Sequence, residues 1–123
     1  MCYRLFIASD GELPLVAPTD PPTFHVEPVS PELVTELPFT PGSQVVEAGS
    51  STGCACDFHA DDVASRQRLV AYLRPFVGRQ RLHIYSTWYA DETDPYAVQA
   101  ALPIDGLLAD LDPIPQQTLT AII

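Results

Sequence analysis

Apolar and polar positions alternate from the first residues. Tyr3, Leu5 and Ile7 share one side of a strand over Cys2 to Ala8, and Ser9-Asp10-Gly11 stops it. Thr23 to Pro28 alternates again, with Phe24 and Val26 opposite Thr23, His25 and Glu27, and Gln44 to Ala48 is a third short strand ended by Gly49. The period then lengthens. Asp61-Asp62 opens a helix over about 61–74, because their carboxylates accept free amide protons, and Pro75 ends or kinks it. At ~100° per residue, Val63, Leu69, Val70, Tyr72, Leu73, Phe76 and Val77 fall in one half-circle, the stripe of a helix packed on a sheet. Beyond Gly78 the strand period returns over Arg81 to Tyr89, where Leu82, Ile84 and Trp88 alternate with His83, Tyr85, Thr87 and Tyr89. Asp91 to Pro95 is a loop. Tyr96 to Ala101 fits a strand or a short helix opened by Asp94-Pro95, Ile104 to Leu111 fits one or two helical turns, and Thr118 to Ile123 is a β-branched strand. Strands that outnumber helices without alternating with them predict an α+β class: a mostly antiparallel sheet of about five short strands, one main helix on one face, and a single domain over 1–123.

Composition narrows the partners. The 123 residues are 46% hydrophobic and 18% charged, which excludes intrinsic disorder, and no apolar run has the length of a bilayer span. Eight of the thirteen prolines lie between Pro14 and Pro41, so the first third is expected to be extended or loop-like between its strands. Sixteen acidic residues against six arginines and no lysine give a net charge of −10, which repels phosphate backbones and anionic headgroups, so neither nucleic acid nor membrane is an expected partner. Five of the arginines lie between Arg66 and Arg81, and pairing with the surplus carboxylates is the ordinary fate of such a cluster. The opening residues lack a charged n-region and cleavage site, which leads to the expectation of a cytoplasmic chain with reduced thiols.

The densest chemistry is the run Gly49-Ser-Ser-Thr-Gly-Cys54-Ala-Cys56-Asp-Phe-His59, between a strand and the main helix. Residues two apart point in opposing directions on a helix but share a side in a turn or strand, and Gly53 supplies the permissive backbone for a turn. Two thiolates at ~2.3 Å and an imidazole nitrogen at ~2.0 Å are ordinary zinc ligands, and Cys2 supplies a fourth if the start of the first strand lies beside this loop. The candidate metal set is therefore Cys2, Cys54, Cys56 and His59, with zinc as its cofactor. Free cysteines also pack as small apolar groups, and a labile Cys54–Cys56 pair would suit thiol redox chemistry. A cysteine phosphatase loop is excluded, since Ala60 and Asp62 occupy the positions where its arginine would follow Cys54 or Cys56. The glycines of the loop lack the lysine of a phosphate-binding loop.

A second candidate site is polar. His25 and Glu27 share a strand face, as do His83, Tyr85 and Tyr89, so adjacent strands would assemble a two-histidine, one-carboxylate set. The ordinary reading is the wet face of a one-sided sheet, and the same residues suit a recognition surface for a protein partner or a second copy of the chain. Arg66 falls within the apolar arc of the helix, where it must snorkel past the core edge or find an anion, including one held beside the Cys54 loop. No Ser-His-Asp arrangement has a diagnostic spacing.

Three segments, MCYRLFIAS, QVVEAGSSTGCACDF and HIYSTW followed by an acidic loop, together resemble a family of small bacterial proteins without an assigned activity. Members share Met-Cys before a strand, a Gly-Cys-x-Cys loop and a strand ending in Trp. The resemblance implies that Cys2, Cys54, Cys56 and Trp88 match its pattern, with Ala55 where glycine is common.

Overall fold

Tyr3–Ser9 (β1) has five consecutive buried residues, Leu5 to Ser9, so it is covered on both faces and takes a central place in the sheet. The computed structural model describes residues 2–60, 62–109 and 112–123. Its other strands are His25–Pro28 (β2), Gln44–Gly49 (β3), Leu82–Trp88 (β4), Ala97–Leu102 (β5) and Thr118–Ile122 (β6). They form one sheet in the order β2-β3-β1-β4-β6-β5, antiparallel throughout except for the parallel pair β5 and β6. The class is α+β as the periodicity predicts, with a sixth strand where Tyr96 to Ala101 left the choice open.

Register assigns the faces. Leu5 stands opposite Ala48 and Ser86, and Ile7 opposite Val46 and Ile84, on the side that receives the main helix Val63–Leu73 (α3). The helix contributes Leu69, Val70 and Leu73 to this core, joined by Phe58 and Leu107, and Asp62 caps it by accepting the Ser65 amide. Pro75 converts its end to a 3₁₀ turn over Arg74–Phe76. Val63, expected in the apolar stripe, is exposed, because it is the first helical residue and stands at the rim. Asp61 and Leu111, placed by pattern at the helix start and at the end of the short helical segment, lie outside the described residues; Ile104–Leu108 forms that segment as a 3₁₀ helix.

The opposite face is not wet. Phe6, Ala8, Val45 and Tyr85 are buried there beneath Leu37, Leu33, Val34 and Phe39. The cover is a short helix, Pro31–Glu36 (α1), inside the proline-rich segment expected to be extended. Ser30 caps it by accepting the Leu33 amide at 3.3 Å, and Pro31 fits the first turn, where its missing N–H costs nothing. Two cores of unequal size result, one on each side of the sheet. Among the described residues no helix is long and apolar enough to cross a membrane.

Candidate functional site

β1 and β3 are antiparallel neighbours, so the start of β1 lies beside the end of β3 and the cysteine loop that leaves it. The loop turns at Gly53, whose φ of +80° is a conformation that disfavours a side chain, with Gly53 N–H donating to Ser50 O at 2.8 Å and Ser50 N–H to Cys54 O at 3.0 Å. Ala55 N–H then donates to Tyr3 O at 3.1 Å, which continues β1 into the loop, while Tyr89 N–H donates to Cys2 O at 2.8 Å from the other side. Cys56 begins the single-turn helix Cys56–His59 (α2). The sulfurs of Cys2, Cys54 and Cys56 all lie within 4.8 Å of one another. Sulfurs bound to one tetrahedral ion at ~2.3 Å stand about 3.8 Å apart, so closing around it takes at most ~1 Å of side-chain adjustment.

Donors surround the thiols. Tyr3 N–H points at Cys56 Sγ at 3.3 Å, and the Thr52 hydroxyl lies 3.4 Å from Cys54 Sγ. Burial works to raise the Cys54 thiol, but Thr52, the Cys56 backbone and the neighbouring thiols together hold it below its ordinary value. The exposed Cys2 thiol is pushed up to about 11, chiefly by the proximity and charge of Cys54. Cys54 is thus the thiol of the pair that gives up its proton more readily.

His59 does not join this group. Its Nδ1 is 2.7 Å from Asp112 Oδ1 and its Nε2 is 2.5 Å from Ser86 Oγ, so both nitrogens are engaged elsewhere. An ionised carboxylate only accepts, which puts the proton of the neutral ring on Nδ1 and makes Ser86 the donor to Nε2. Burial, the largest influence, holds the ring below its ordinary pKa against the pull of Asp112, so the contact is a hydrogen bond between a neutral imidazole and a carboxylate at neutral pH. The nucleophile, base and acid of a catalytic triad are all present, in separate parts of the chain that no spacing rule connects. Access decides their role. Ser86 is 0% exposed, and the Tyr3 ring stacks on His59 at 4.0 Å and on Trp88 at 3.9 Å. With no path for a carbonyl carbon to reach Ser86 Oγ, the set clamps α2 to β4.

The thiols, by contrast, open onto a cavity of about 340 Å³. Its lining includes Cys2, Cys54, His25, Glu27, Glu47 and Tyr89. His25 Nδ1 is 2.7 Å from Thr23 O, and a carbonyl only accepts, so Nδ1 carries the proton and Nε2 keeps its lone pair. The Nε2 edge of the ring packs against Gly49, where a Cβ would sit 2.3 Å from Nε2, so only glycine leaves room for it. Glu47 is held in a fork by Arg4, at 2.8 Å to each oxygen, and Arg4 also reaches Glu92 at 2.8 Å. Spacing pointed to none of Ser86, Asp112, Gly49 or Thr52; the glycine before a cysteine loop was the one legible hint among them.

The remaining expected sites are corrected by topology. Two strands separate β2 from β4, so His25 and Glu27 do not meet His83. Tyr85 is 0% exposed beside Phe39, so His83, Tyr85 and Tyr89 form no common recognition face; His83 is half-buried and Tyr89 exposed. Arg66 neither snorkels nor reaches the cysteine loop: it is 0% exposed and donates to Ala60 O at 2.6 Å and Ala109 O at 3.2 Å, tying two loops together through carbonyl groups. The chain matches no protein-family model, no curated protein and no solved structure, so its functional reading rests on this geometry.

Proposed function

We propose that the chain is a metal-binding protein that holds a thiophilic divalent ion, zinc first among them, on Cys2, Cys54 and Cys56. The observation that carries this reading is the approach of three sulfurs from two distant parts of the chain to within 4.8 Å. Three thiolates suit borderline-to-soft ions, and the Tyr3 amide and Thr52 hydroxyl are the outer hydrogen bonds that such sulfurs need to carry their charge. His59 is spoken for, and among the described residues no fourth His, Cys, Asp or Glu meets the distance shared by the three cysteines. Three protein ligands with one position left to solvent or substrate is the pattern of reactive rather than purely structural zinc, for which the ion supplies Lewis acidity. The cavity gives that position neighbours: an imidazole nitrogen with a free lone pair, His25, and the carboxylates of Glu27 and Glu47.

The test is metal content by mass spectrometry on protein purified without a His-tag, beside a Cys54→Ala/Cys56→Ala variant, with cobalt added to each. About one ion per chain and the sulfur-to-cobalt charge-transfer band in the wild type alone are expected. Equal, negligible metal and no such band in either protein would overturn the reading.

A second reading, thiol–disulfide exchange, is favoured by the lowered Cys54 thiol. The Cys54 thiolate would attack a small-molecule disulfide and expel one thiolate; Cys2 or Cys56 would then displace the second, leaving an internal disulfide. Fast alkylation of Cys54 below about pH 7 that added zinc does not slow supports this second reading over the first.

A further inference from the structure

The end of the sheet remote from the cysteines carries the larger cavity, about 630 Å³, with a floor of Val77, Leu82, Ala121 and Ile122. A second cavity of about 250 Å³ adjoins it, lined by the hydroxyl residues Ser9, Thr40 and Ser43. Asp10, Arg81 and His83 line both, so the apolar and the hydroxyl-lined halves meet at Arg81. Arg79 stands on the rim of the larger half.

The local charge runs against that of the whole molecule. Among the lining side chains, two guanidiniums and one carboxylate sum to one positive charge, on a chain whose side chains sum to −10. Among the described residues neither Arg79 nor Arg81 is within 4.0 Å of a carboxylate, whereas Arg4 and Arg74 are paired. Asp10 is turned to the backbone, where its Oδ1 accepts the Arg81 amide at 2.8 Å and braces the segment. His83 is held below its ordinary pKa by burial first and by the Arg81 charge second.

We infer that this bipartite cleft binds a small organic anion, a carboxylate on an apolar body, with the head group at Arg81, Thr40 and Ser43 and the body on the Val77–Ile122 floor. The charge-assisted contact to Arg81 sets the polarity of the ligand, and the apolar floor favours an anion with an apolar body over a bare inorganic one.

The experiment uses the apolar sulfonate probe 1-anilinonaphthalene-8-sulfonate, with cooperative urea unfolding to verify that each variant is native. Saturable fluorescence in the wild type is expected, with displacement by octanoate but not by acetate or octanol. Arg81→Gln should weaken binding about tenfold, Arg79→Gln less, and Arg81→Lys should retain most of it. If Arg81→Gln does not fold, the exposed Arg79→Gln decides. No saturable binding, equal affinity in the arginine variants and the wild type, or displacement by octanol as readily as by octanoate would each overturn the inference. The Cys54→Ala/Cys56→Ala variant should bind the probe unchanged, so the cleft and the thiol site fail or stand separately.

Discussion

Tyr3 separates two clusters that look alike in a residue inventory and differ in what they can do. On one side its amide points at Cys56, one of three clustered sulfurs of which Cys2 and Cys54 line a cavity; on the other its ring stacks on His59, whose two nitrogens are held by Asp112 and Ser86. The second cluster has the residue types of a catalytic triad and the geometry of a clamp, because both imidazole nitrogens are engaged and the serine has no exposed surface. The first has spare ligand capacity and access. Convergence of reactive side chains therefore marks a functional site only where unspent lone pairs meet open space.

The largest expected effect separates the clusters by metal. Zinc at about a thousand times its dissociation constant should stabilise the wild type by ~4 kcal/mol in calorimetric unfolding, and Cys2→Ser should abolish most of that gain whereas His59→Gln should not. A zinc response lost equally in both would make His59 part of the site and break the contrast. Next, Ser86→Ala leaves the buried His59 Nε2 without its donor and should cost about 1–3 kcal/mol in urea unfolding while zinc content stays unchanged. Labelling of Ser86 by a fluorophosphonate in native protein would contradict the clamp outright.

Gly49→Ala tests the cavity beside the thiols. The new Cβ must displace the His25 ring, for about 1–3 kcal/mol, and the Gly49→Ala/His25→Ala double variant should recover part of it. Additive losses would mean that the ring does not lie on the glycine.

The smallest effect is a pH dependence. His59 and His83 are both held below their ordinary value, chiefly by burial. Between the folded value and the unfolded value of about 6.5, the unfolded chain takes up protons that the folded chain refuses. Stability is therefore complete above that unfolded value and declines as pH falls through it toward the folded ones. Urea midpoints between about pH 8 and about pH 5.5 should fall, and the slope should flatten in His59→Gln and in His83→Gln. A midpoint that rises over the same interval would mean that Asp112 holds a charged imidazole, and the clamp would be an ion pair.

Local pattern was enough for the elements that bury one consistent stripe or alternate cleanly. β1, β3, β4 and α3 lie within a residue or two of their expected ends because period, caps and Pro75 agree there. It failed at α1, where the density of prolines concealed a capped helix that Ser30-Pro31-Glu32 spells out. It failed again at Tyr85 and Arg66, since a polar-tipped side chain on an alternating strand does not reveal whether another element will cover it, and a cation in an apolar arc does not reveal the carbonyls it will meet.

By itself the sequence determined the α+β class, the main helix, and the loop that presents Cys54 and Cys56, because these depend on short-range periodicity, turn chemistry and composition. Only the tertiary structure decided that Cys2 reaches that loop, that His59 is spent on Asp112 and Ser86, and that Arg81 and His83 join two cavities. Each of these depends on which strands are neighbours and in what register, and pairing is a long-range choice that no local period encodes.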